Sequence, residues 1–187
     1  MKSIVQLLFF TLATTSTAYA QRAAITLGLS QVQVEGVSGV DISSNGSYQF
    51  GALFYQPMTE VVDVRLGALW SQQMLTLDQG NLETNLKIAN LNVPLTAGYR
   101  VGERFLLFAG AVLSVNADKS CEYSNGSACN KSDMKVRSSD VLLSVGANFQ
   151  LTSELGLELS LDRMGGKPFE GATGGQLLNV NFQYVIE

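Results

Sequence analysis

The chain has 187 residues, 12 basic against 16 acidic, a net charge of −4, no histidine and 46% hydrophobic residues. That balance argues against nucleic acid as a partner and supplies no polybasic patch for a charged membrane surface. The lack of histidine removes the usual base of a serine-type nucleophile and leaves no residues pointing to catalysis, a cofactor or a metal.

The N-terminal residues read as a cleavable signal peptide, residues 1–20. Lys2 supplies the positive end, Ile4 to Leu12 the apolar stretch, and Ala18-Tyr19-Ala20 the small-residue cleavage site. The apolar stretch is too short to span a bilayer, and no later segment reaches the ~20 apolar residues of a membrane helix. Residues 21–187 are then one domain, exported into an oxidising compartment.

The mature chain alternates apolar and polar residues in a succession of strands. The first begins Ile25, Leu27, Leu29 and then changes phase to Val32 and Val34, which reads as a β-bulge because one extra residue swaps the faces. A long connection, Glu35 to Gly46, leads to Tyr48, Phe50, Ala52 and Phe54. After the short connection Pro57-Met58-Thr59-Glu60, a third strand sets Val62, Val64, Leu66, Ala68 and Trp70 against Asp63, Arg65, Ser71 and Gln73. A fourth starts on Leu86 and Ile88 and resumes as Leu91, Val93, Leu95, Ala97 and Tyr99. Here too the phase change predicts a bulge, which would also accommodate Pro94.

The fifth strand is the clearest. Its odd positions from Phe105 to Ala117 are all apolar, while Gly110, Ser114 and Asn116 lie between them. The polar stretch Asp118 to Arg137 holds Cys121 and Cys129, the only two cysteines, and predicts a loop closed by one disulfide. No histidine and no second cysteine pair are present to complete a metal set. The sixth strand alternates Val141, Leu143, Val145, Ala147 and Phe149 with Asp140, Ser144 and Asn148. The seventh alternates Leu155 to Leu161 with Glu158, Ser160 and Asp162. The last sets Leu178, Val180, Phe182, Tyr184 and Ile186 against Asn179, Asn181 and Gln183. Period two throughout, without spacing of three and four, argues strand and not helix.

Eight strands joined by alternately long and short connections predict an antiparallel up-and-down transmembrane β-barrel in a bacterial outer membrane. Parity alone allows a second fold, a soluble periplasmic barrel of the lipocalin kind with the oily face turned in around an apolar ligand. The aromatics favour the membrane. Phe54, Tyr99, Phe105, Phe149 and Tyr184 share the oily set at the short-turn end, and Tyr48, Phe50 and Trp70 lie toward the other, as in two interfacial girdles. About 11 residues per strand at a tilt of about 40° span roughly 25–28 Å. In that arrangement Asp63, Arg65, Arg100, Glu158 and Asp162 face a narrow lumen and must pair there. The expectation is an internal charge network centred on Arg65 and Glu158.

Residues 53–72 (LFYQPMTEVVDVRLGALWSQ) and 88–115 (IANLNVPLTAGYRVGERFLLFAGAVLSV) resemble the small outer-membrane β-barrel families that include PorT-like proteins and the transmembrane domain of OmpA. The resemblance rests on Leu91-x-Val93-Pro94-Leu95, the Gly102 turn and Ala109-Gly110. It implies an eight-stranded barrel in outer-membrane lipid, inserted by the barrel-assembly machinery, although this closing strand ends on Glu187 and not on an aromatic. Gly165-Gly166-Lys167-Pro168 is a turn and not a phosphate loop, since proline replaces the needed hydroxyl residue. The work expected of such a chain is structural or loop-mediated interaction around a filled lumen. An adhesion-type barrel is an alternative, and the loops name no partner.

Overall fold

A computed structural model describes residues 22–35, 41–44, 46–78, 83–123, 127, 129, 137–166 and 174–186. The predicted signal peptide lies outside the described residues. The described strands are β1 (Arg22–Glu35), β2 (Asp41–Ser44), β3 (Ser47–Pro57), β4 (Val62–Asp78), β5 (Glu83–Val101), β6 (Phe105–Tyr123), β7 (Ser139–Gln150), β8 (Leu155–Met164) and β9 (Gly174–Ile186).

Every ladder is antiparallel, and the ring closes in the order β1-β3-β4-β5-β6-β7-β8-β9 and back to β1. The eight predicted strands are the eight places in this ring. β2 is an addition inside the expected Glu35–Gly46 connection. It pairs with the top of β4, Ser44 beside Leu75, in line with β3, whose Tyr48 pairs with Gln72. Four steps on β2–β3 match three on β4, so one extra residue lies between Ser44 and Tyr48, next to Gly46 with φ 73°. The left-handed backbone there suits glycine.

The two predicted bulges are not present. β1 pairs with β9 without a register break from Ala23–Ile186 to Glu35–Gly174, and β5 keeps one register against β4 from Tyr99 to Glu83. Val32, Leu86 and Ile88 therefore stay on the inward face beside Ser30 and Asn90, and all five are buried. What changes along these strands is the chemistry of the interior and not the direction of the side chains. Pro94 is absorbed differently as well: the β4–β5 ladder is interrupted at Gly67 and Ala68, opposite Pro94 and Val93. Proline has no N–H to give there. A bulge does occur in β6, where Ala89 pairs with Asp118 but Asn90 pairs with Asn116, leaving Ala117 over. β6 thus continues to Tyr123, five residues beyond the predicted start of its loop at Asp118.

Two of the short turns are built alike. Met58 and Thr59 donate to the Val62 carbonyl, while the Thr59 hydroxyl accepts from Val62 N at 3.0 Å. Leu151, Thr152 and Leu155 repeat the pattern with the same 3.0 Å bond. The third short turn carries Gly102 with φ 69°.

The oily ridges face outward. Leu29 is 68% exposed, and Leu27, Leu143 and Phe182 are each 63% exposed. The soluble barrel with an inward apolar lining is thereby overturned, because water would have to cover a continuous apolar belt far larger than a soluble surface carries. Phe54, Tyr99, Phe105 and Tyr184 are exposed near the short turns. Phe149 is partly covered by Phe105, with ring centroids 4.7 Å apart. Half-buried Trp70 pairs with Phe50 eight residues above the start of β4.

Candidate functional site: the lumen and the rim above it

Inward side chains form three storeys, counted from the short-turn end. The lowest is a cavity of about 670 Å³ open at that end, between Arg22, Tyr55, Asp63, Arg100, Asn148 and Gln183. On its wall Arg100 grips Asp63 as a fork, Nε to Oδ2 and Nη2 to Oδ1, each 2.8 Å. Bidentate geometry of this kind makes the strongest form of ion pair.

Above it lies a floor that crosses the barrel. The Arg65 Nη1 donates to Glu158 Oε2, joining β4 to β8. Both residues are almost wholly buried, 3% and 2% exposed. Arg65 Nε donates to Thr96 Oγ1 at 3.1 Å, and its guanidinium carbon sits 3.8 Å from the centre of the Phe108 ring. A cation over a desolvated aromatic face is attracted by the ring quadrupole. Glu158 accepts from Gln183 Nε2 at 2.6 Å and from Asn181 Nδ2 at 3.2 Å. Gln49 donates to Asn181 at 2.7 Å, and Tyr55 and Asn148 both donate to Gln183 Oε1 at 2.8 Å. Seven strands, β3 to β9, meet in this one connected network.

Of the five charged residues expected in the lumen, four therefore form two separate pairs, Arg65–Glu158 and Arg100–Asp63. Asp162 joins neither: it accepts from Asn179 Nδ2 at 2.7 Å and has Ser144 opposite it across β7 and β8. The sequence reasoning missed Phe108, Thr96, Gln49 and Tyr55, which complete the floor. Parity along β3, β5 and β6 was the available signal. It also missed Gly146, where a methyl group would run into the Phe108 ring and the Leu159 carbonyl.

The top storey is apolar. Val32, Leu75, Leu86, Ile88, Val112, Cys121, Leu142 and Leu177 form a buried cluster, with Val34, Ile42, Leu77, Cys129 and Met164 packed against it. The outward face changes at the same height and in the opposite sense. Leu29 gives way to Gln31 and Gln33, Leu178 to Gln176, Trp70 to Gln72, Leu161 to Arg163 and Leu91 to Lys87. These polar side chains bond to one another across strands: Gln176 to Gln33 at 2.6 Å, Tyr48 to Gln72, and Thr76 to Asn85 at 2.8 Å. Below this level the barrel is apolar outside and mostly polar inside, with Ala24, Leu53 and Leu69 as a small apolar cluster. Above it the faces of β1, β4, β5 and β9 are exchanged, while β6 sets half-buried Lys119 on the inward face opposite Ile88.

At the rim, Cys121 and Cys129 are joined by a disulfide, Cα–Cα 5.5 Å. Cys129 N donates to the Cys121 carbonyl at 3.3 Å, and Tyr123 N to the Ser127 carbonyl at 2.9 Å. Cys121 lies in the apolar cluster, and Cys129 packs against it.

A family model described as "Outer membrane protein beta-barrel domain" matches residues 19–164. No curated protein sequence matches the chain. Solved structures with the same fold include Ail, the attachment invasion locus protein of Yersinia pestis. It is 13% identical with a TM-score of 0.58, over 90% of this chain and 100% of that one. OprG from Pseudomonas aeruginosa is 12% identical with a TM-score of 0.50, over 90% and 97% of the two chains. Neisserial surface protein A is 10% identical with a TM-score of 0.52, over 91% and 99%.

Proposed function

This chain belongs to the outer membrane protein β-barrel domain family, and on that premise we propose that it is a closed barrel that holds an interaction surface in water above the outer leaflet. The bacterial outer membrane is its location, and lipid is the solvent of its lower ridges. The observation that carries the reading is the exchange of faces along β1, β4, β5 and β9. An apolar exterior with a polar lumen suits lipid, whereas a polar exterior over a packed apolar core suits water. From Gln72 to Asp78 the upper wall rises roughly 15 Å at the usual strand rise and tilt.

The floor supports a non-conducting role, since an eight-stranded interior is just wide enough for side chains to fill. The lack of histidine supports a non-catalytic one. Outward Phe182 and Tyr184 on the closing strand suit handling by the barrel-assembly machinery. At the rim, exposed Asp41, Asp78, Glu83 and Glu122 stand with exposed Lys87. This acidic excess disfavours a polyanion as partner and favours a protein surface, although Ail has been solved with the heparin analogue sucrose octasulfate.

The test is surface labelling of intact cells with a membrane-impermeant maleimide, together with conductance in planar bilayers. Gln33→Cys and Asn85→Cys are expected to label and Leu27→Cys to stay protected, with no steady current. Protection of all three, or a steady open channel, would overturn the reading.

A further inference from the structure

We propose that Asp162, Asn179 and Ser30 form a binding site for a small monovalent cation in the lumen, between the charged floor and the apolar roof. Ser30 and Asn179 are direct neighbours across β1 and β9, and Asn179 is opposite Ser160 across β8 and β9. Asn179 is 1% exposed and Ser30 6%. The Asn179 amide nitrogen is fully committed, to Ser160 Oγ at 3.0 Å and Asp162 Oδ2 at 2.7 Å. That fixes its carbonyl oxygen as the free end. Asn179 Oδ1, Asp162 Oδ1 and Ser30 Oγ are all closed off from solvent and have no hydrogen-bond partner, the buried Ser144 hydroxyl across β7 and β8 being the Asp162 carboxylate's other polar neighbour. Three unpaired buried oxygens in one patch carry a large desolvation cost, and two of them can only accept.

Charge points the same way. Arg65 is engaged by Glu158, Arg100 by Asp63 and Arg137 by Asp140. Arg163 is exposed on the outward row of β8. Among the described residues no Lys or Arg lies within ion-pair distance of Asp162. The roof begins at once above it, with Leu177 as its partner across β9. An ionised carboxylate in such surroundings requires a positive partner. One carboxylate with neutral amide and hydroxyl oxygens offsets a single charge. No group of three His, Cys, Asp or Glu gathers among the described residues, which disfavours a divalent or transition metal.

The experiment refolds the full barrel into lipid nanodiscs in potassium chloride or in N-methylglucamine chloride at equal ionic strength and compares thermal unfolding. A bound ion is expected to raise the midpoint with increasing potassium concentration, and Asp162→Asn to abolish the difference. Should that variant fail to insert, Ser30→Ala keeps the charge and is expected to shrink the difference. Crystals grown with thallium(I) are expected to show an anomalous peak touching Asp162 and Asn179. Equal midpoints in both salts without such a peak overturn the site. So does an infrared band of a protonated carboxyl group that Asp162→Asn removes.

Discussion

At the scale of single residues, the floor depends on a buried pair whose partners cannot be removed singly without loss. Arg65→Ala leaves Glu158 in the lumen with only amide donors, and Glu158→Ala leaves a guanidinium above Phe108 with no counter-charge. Each is expected to cost about 3–5 kcal/mol in urea unfolding from lipid. Replacing both by apolar residues of similar volume is expected to cost far less than the sum, because no uncompensated charge remains. Additive losses in that double-mutant cycle would show the pair to be energetically uncoupled. Gly146 is the other sensitive point. Gly146→Ala forces the Phe108 ring off Arg65 and is expected to cost about 1–3 kcal/mol, read in the same unfolding assay.

At the scale of strands, β1 and β5 are the most informative. Leu29 followed by Val32, and Ile88 followed by Leu91, look in sequence like inserted residues that swap the faces. The ladders show unbroken register, so the apolar residues themselves change sides because their surroundings do. Similar truncations therefore carry different costs. Ile88→Ala opens a hole in a packed core and is expected to cost about 2–4 kcal/mol. Leu143→Ala, on the lipid face, is expected to cost well under half of that, since lipid tails replace the lost contacts. If Ile88 faced lipid, as a bulge requires, the two would be equal. The true bulge at Ala117 left no mark in the alternation, because alanine is tolerated on either face.

For the whole molecule, the barrel is two environments on one set of strands. The lipid-embedded part has a mostly polar interior tied together by the Arg65–Glu158 floor, and the part above has a core of the ordinary soluble kind. The disulfide belongs to the second. Joining Cys121 to Cys129, eight positions apart, is expected to stabilise the rim by roughly 2–3 kcal/mol in the chain-entropy model. Cys121→Ser with Cys129→Ser is therefore expected to speed proteolysis between β6 and β7 while the heat-modifiable gel shift of the embedded barrel persists. Loss of that shift would mean that the rim and the embedded ring unfold as one unit.

Period-two alternation determined by itself that this chain is a ring of antiparallel strands with one oily face, since a strand's side chains must alternate whatever the environment. The same alternation, with the aromatics at the strand ends, was enough to expect lipid outside and to bring Arg65 and Glu158 to one height. It could not show where the membrane stops. Sequence records which face a residue shares with its neighbours two places away, but not whether water or hydrocarbon lies beyond that face. Only the closed ring decided this. By fixing the register of all eight places at once, it turned two apparent insertions into a single level at which inside and outside exchange their chemistry.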